Sequence, residues 1–102
     1  MSFLRKLFGF GPKVDFAKLI INGATIIDAR SAAEFKSSQP THPIHSINIP
    51  LDQIPAKINK IKKMKEPIIV CCASGMRSGR AKGMIAQAGV AVHNAGSWKN
   101  IS

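Results

Sequence analysis

The stretch Val70-Cys71-Cys72-Ala73-Ser74-Gly75-Met76-Arg77-Ser78 brings a nucleophile, a glycine turn and a guanidinium together in a few residues. Apolar residues run into the two cysteines, Ser74-Gly75 turns the chain, and a helix follows. A loop of that kind turns successive backbone N–H groups inward, and the start of the helix adds partial positive charge. A thiol at the end of the strand is thereby driven toward thiolate, the nucleophilic form. The same donors suit an anion held above the sulfur. Two frames are open. Counted from Cys71 the spacing is Cys-x5-Arg-Ser, formally the cysteine-phosphatase pattern in which loop N–H groups and the arginine clamp a phosphoryl group. Counted from Cys72 it is Cys-x4-Arg, a smaller cradle suited to a terminal sulfur. Spacing alone leaves both standing.

Adjacent cysteines make a strained disulfide ring and do not form a secreted scaffold. Two thiols with the scattered His42, His45 and His93, and no Cys-x-x-Cys, give no zinc pattern, so no metal is expected. The chain is strongly basic, with 15 Lys+Arg against 5 Asp+Glu for a net charge of +10. Such an excess raises nucleic acid, anionic membranes and anionic substrates as partners. Lys57, Lys60, Lys62, Lys63 and Lys65 fall mostly away from a stripe of Ile54, Ile58 and Ile61, as a solvated helix face does. No aromatic residue lies between Phe35 and Trp98 to interleave with them, so nucleic acid is not expected. The charge reads instead as salt-dependent steering of small anions toward a thiolate, with docking of an acidic partner as a second use.

The elements that must position the loop follow from pattern. A mean hydropathy of +0.05 suits a chain with a real core, and 102 residues suit one domain. Residues 1–12, with Arg5 and Lys6 among Phe3, Leu4, Leu7, Phe8 and Phe10, read as a basic, apolar extension. That extension is too short and too charged for a signal peptide and is marginal as a membrane anchor, which places the chain in a reducing cytoplasm. Asp15 caps a short helix over 16–21, and 24–28 is a buried strand. Ser31 and Glu34 form a capping box. Residues 37–46 make a proline-punctuated loop, 47–49 a strand and 52–64 an amphipathic helix. A buried strand over 68–71, a helix over 78–88, a last strand over 90–93 and a tail complete the chain. Strands alternating with helices predict an α/β domain with a mostly parallel sheet. Alternation points Cys71 away from Cys72, into packing. Asp28, Arg30 and Glu34 read as an ion-pair network bracing a strand–helix turn, and Trp98 as a cover for the core.

In chain order, Ile27-Asp28-Ala29-Arg30, Ala33-Glu34-Phe35, Ile47-Asn48-Ile49-Pro50 and Cys72-Ala73-Ser74-Gly75-Met76-Arg77-Ser78 resemble the single-domain rhodanese family. Gly96-Ser97-Trp98 is similar to its closing segment, so the resemblance spans roughly residues 13–99 of a domain read as 13–102. It implies a three-layer α/β fold, with a five-stranded, mostly parallel sheet and helices on both faces. It places the catalytic cysteine at Cys72 and the substrate-binding loop at Ala73, Ser74, Gly75, Met76, Arg77 and Ser78. Arg77 would hold an anionic donor, Ser78 would cap the helix or bond the loop, and Arg80 stands at the rim or on the surface. The implied reaction moves a sulfane sulfur from thiosulfate or a persulfide donor to a small thiol or protein acceptor, through a Cys72 persulfide. The stretch over 41–46 departs from the family's usual glycine-containing approach, with only His42 in common. Two other readings stay open: a cysteine-dependent phosphatase or arsenate reductase using Cys71 and Arg77, and a non-enzymatic sulfur-relay or binding module. Oligomeric state is not legible in the sequence.

Overall fold

Thr25–Asp28 (β1) and Ile68–Cys72 (β3) are short runs rich in β-branched residues, and β3 is buried throughout. Strands covered on both faces read as such continuous apolar runs and pair in parallel. The computed structural model describes residues 14–38 and 45–101. In it Ile47–Asn48 (β2) and Val92–Ser97 (β4) join them in a parallel sheet of order β2-β1-β3-β4. The sheet thus has four strands among the described residues, where the resemblance implied five. The expected extension over 1–12 and His42, the residue shared with the family over 41–46, lie outside those residues.

Period-two alternation sends Ile27, Ile68 and Val70 to one face and Ile26, Ile69 and Cys71 to the other. The first face is covered by the helices Ile58–Ile61 (α3) and Met76–Gln87 (α4), through Ile61, Ala81 and Ile85. The second is covered by Phe16, Leu19 and Ile20 of helix Phe16–Ile21 (α1), and by Trp98. The α/β reading with helices on both faces is therefore the architecture of the chain. Asp15 caps α1 by accepting from the Lys18 N–H at 3.0 Å. Ser31 and Glu34 form both halves of the capping box that opens helix Ala32–Ser37 (α2).

Two elements differ from their sequence reading. The amphipathic run over 52–64 is not one helix: it is two 3₁₀ turns, Leu51–Gln53 and Pro55–Lys57, followed by the single turn α3. Pro55 lacks the N–H that a continuous helical ladder needs there, so the chain restarts at it. Ile54 and Ile61 are nonetheless buried, so the apolar spacing found the core without a regular helix. The last strand runs to Ser97 rather than stopping at His93, because a register slip lets it continue past Ala95. Val70 pairs with Asn94 but Cys71 with Gly96, the mark of a β-bulge.

At the carboxyl ends of the strands the sheet buries an ion pair. Both Asp28 oxygens accept from the Arg30 guanidinium, at 2.8 to 3.0 Å, and Asp28 Oδ1 also accepts the Arg30 backbone N–H. Arg30 further donates to Ser38 Oγ at 2.8 Å and lies 4.8 Å from the Trp98 ring centroid. Asn48 of β2 donates to the carbonyls of both Asp28 and Arg30. The expected bracing network thus exists, but its carboxylate is Asp28, while Glu34 offers Arg30 only a backbone carbonyl at 3.5 Å. Removing one member of a buried pair strands the other charge. Arg30→Met should cost about 3–5 kcal/mol in denaturant unfolding. The double change Asp28→Leu/Arg30→Met should cost clearly less than that single one.

Candidate active site

β3 ends on Cys72, whose side chain, by alternation, points to the face that carries α4. Gly75 then takes φ +101°, a left-handed conformation, and serves as the N-cap of α4. A Cβ at Gly75 would stand 3.2 Å from Gly96 Cα, so the loop is pressed directly onto the closing strand. That fold-back aims N–H groups at the sulfur. The Gly75 N–H donates to Cys72 Sγ at 2.9 Å and the Ser78 N–H at 3.4 Å, while Ser78 Oγ lies 3.3 Å from it. Burial raises the Cys72 pKa, but the Ser78 hydroxyl and the N–H groups of Ser78, Gly75 and Ser74 outweigh it, and the net shift is downward. The start of a 12-residue helix adds its dipole to the same point.

Cys71 has the opposite environment. It is fully buried among Ile26, Ile69 and Ala95 on the other face. Burial, and then the nearby Asp28 carboxylate, push its thiol up to about 12. The two adjacent thiols are thus shifted in opposite directions, Cys72 toward thiolate and Cys71 away from it.

The remaining predicted residues sort by what they touch. Ala73, Ser74 and Met76 are exposed along the loop. Ser78 is buried and bonds the sulfur, the second of its two expected roles. Arg77 is engaged by a carboxylate. Its Nη1 and Nη2 grip the Glu34 carboxylate at 2.6 and 2.9 Å, a bidentate pair joining α4 to α2. Arg77, with the Ser31 N–H, holds the Glu34 carboxyl at about 2, well below its ordinary 4.5. Arg80 is exposed and lines a groove beside Arg77.

Asn94 is the residue that sequence reasoning missed. Its Oδ1 accepts from Ser78 Oγ at 2.6 Å and from the Gly96 N–H at 2.9 Å, and its Nδ2 donates to the Gly75 carbonyl at 3.2 Å. It therefore holds both sides of the sulfur cradle. The Asn-x-Gly spacing of 94–96 was the available signal, since an asparagine that bonds the N–H two residues on makes such a turn.

A family model described as the rhodanese-like domain matches residues 13–102. No curated protein matches the chain. Among solved structures, a rhodanese with anions from Escherichia coli is similar at 30% identity and a TM-score of 0.64, over 78% of this chain and 93% of that one. A rhodanese-related protein from Thermoplasma volcanium is similar at 30% identity and a TM-score of 0.61, over 76% of each chain. The reduced CoADR-RHD of Bacillus anthracis superposes at 28% identity and a TM-score of 0.71, over 95% of this chain but only 17% of its own.

Two outcomes test this geometry. Ser78→Ala should move the midpoint of pH-dependent Cys72 alkylation by iodoacetamide upward, because once Cys72 ionises the Ser78 hydroxyl can turn its one proton from Asn94 Oδ1 to the thiolate, and alanine cannot. Glu34 has its folded-state pKa depressed, so its pair with Arg77 stabilises the fold above about 4.5 and loses that contribution as the pH falls toward 2. Glu34→Gln should therefore be less stable than the parent at neutral pH, by under about 1 kcal/mol for so exposed a pair, with the gap closing in acid.

Proposed function

Because this chain belongs to the rhodanese-like domain family, we propose that it is a sulfurtransferase that carries a sulfane sulfur on Cys72. The observation that supports this most directly is the convergence of the Gly75 and Ser78 N–H groups on Cys72 Sγ rather than on Cys71. A cradle with its donors on the sulfur itself stabilises first the thiolate and then the anionic terminal sulfur of a persulfide.

The donor step balances without any cofactor. The Cys72 thiolate attacks the outer sulfur of thiosulfate, a Cys72 S–S bond forms, and the donor's own S–S bond breaks with its electron pair leaving on sulfite. The Escherichia coli rhodanese similar to this chain carries anions, in keeping with an anionic donor. An incoming dianion competes with Glu34 for the Arg77 guanidinium, so Arg77 passes from an internal carboxylate to the substrate. In the second step the sulfane sulfur passes to a thiol or other thiophile. Two free cysteines suit a reducing cytoplasm, where both would stay reduced.

A phosphatase built on Cys71 would need as its nucleophile a thiol held at about 12 and buried on the far face of the sheet. The deciding experiment pairs thiosulfate-to-cyanide transfer with aryl phosphate hydrolysis. Cys72→Ser should lose sulfur transfer on the order of a thousandfold or more, whereas Cys71→Ala should retain it. Transfer that survives Cys72→Ser would sink the proposal. Phosphate hydrolysis lost only in the Cys71 variant would put the other frame in its place. A Cys72 persulfide seen by intact mass, without turnover, would identify a relay rather than an enzyme.

A further inference from the structure

Beside the loop, α4 carries Arg77, Arg80 and Met84 along one side of a groove of about 390 Å³, and the 3₁₀ turns opposite supply Leu51, Asp52 and Pro55. That size is within the range of small-molecule sites, and the lining, mainly apolar with a few charges, is of the usual kind. Arg77 belongs both to this lining and to the 73–78 loop, so the groove adjoins the loop. The charges are the informative part. Arg77 is already neutralised by Glu34. Among the described residues, neither Arg80 nor Asp52 makes an ion pair or a side-chain hydrogen bond, with each other or with anything else. The groove therefore offers one unmatched cation and one unmatched anion over an apolar lining. A purely anionic ligand would leave Asp52 facing it uncompensated, and a purely cationic one would do the same with Arg80. The complement is a small zwitterion.

We propose that this groove seats the sulfur acceptor, and that the acceptor is a low-molecular-weight zwitterionic thiol, an amino-acid thiol such as cysteine or a short peptide containing one. Arg80 takes its carboxylate and Asp52 its ammonium. The assignment rests on the sulfurtransferase reading above and gives it a substrate class. The acceptor thiol passes its proton to the anionic terminal sulfur of the Cys72 persulfide, and the thiolate so formed attacks that sulfur. A new S–S bond forms on the acceptor, and the bond to Cys72 Sγ breaks with its electron pair returning to Cys72 as thiolate. The transferred sulfur keeps its proton, so charge and electrons balance and no outside reductant is consumed.

The test loads the full chain with thiosulfate, removes the excess, and measures kcat/KM for transfer to four thiols. L-Cysteine carries both charges, cysteamine only the ammonium, 3-mercaptopropionate only the carboxylate, and 2-mercaptoethanol neither. Each thiol is compared between the parent and a variant, which cancels its intrinsic reactivity. Arg80→Gln should lower transfer to cysteine and 3-mercaptopropionate about threefold or more relative to cysteamine. Asp52→Asn should lower transfer to cysteine and cysteamine by a similar factor relative to 3-mercaptopropionate. A merely structural role would shift all four thiols together, and that uniform result, or no shift at all, overturns the acceptor assignment alone. Failure of the parent to take sulfur from thiosulfate overturns the sulfurtransferase reading, and the acceptor assignment falls with it.

Discussion

The buried pair of Asp28 and Arg30 sets the conditions for everything around it. Taking two charges out of water is costly, and the pair persists because nearly every lone pair and proton it carries is used. Those bonds reach β1, β2, Ser38 at the end of α2, and Trp98 of the closing segment. The carboxyl edge of the sheet is held in register there, and the Cys72 loop rises from that edge. The Asp28 carboxylate also adds to the burial that keeps Cys71 protonated. One buried ion pair thus shapes the frame of the candidate site and helps to keep Cys71, the neighbour of Cys72, protonated.

The loop was legible in the sequence because its determinants are local. A buried strand, a glycine able to take positive φ and a helix start all lie within residues 68–78, and the alternation that separates Cys71 from Cys72 is a property of any strand. What was not legible depends on distant partners. Glu34 and Arg77 are 43 residues apart. Nothing in their spacing says that the capping-box glutamate will also hold the loop arginine. The β4 bulge is likewise a pairing property, invisible in one strand taken alone, and it hid the role of Asn94. Over 52–64 the isoleucine spacing was right about burial and wrong about geometry, because Pro55 breaks a ladder that periodicity alone cannot see.

The charge excess looks different once its members are placed. Arg30 is sequestered in the sheet edge and Arg77 is matched by Glu34. The positive field comes largely from exposed residues such as Lys60, Lys62, Lys63, Arg80 and Lys82. A diffuse field of this kind draws anions toward the molecule without fixing where they bind. At the Cys72 sulfur itself the donors are backbone N–H groups, whose charge cannot be titrated away or screened as readily as that of an exposed side chain.

Cys72 has 0% exposure beneath its own loop. A sulfur in that position is out of reach of bulky oxidants and of other proteins' thiols, although it is poised to ionise. Adding one sulfur atom lengthens the side chain by a single bond, on the order of 2 Å, toward the opening of the loop. Burial therefore acts as a sieve that changes mesh with the state of the residue. On the proposed reading the empty thiolate is open only to compact reagents, and a sulfur carried on it would stand nearer the opening. A modest depth of cover can in this way impose an order on two encounters, with no moving part larger than one atom.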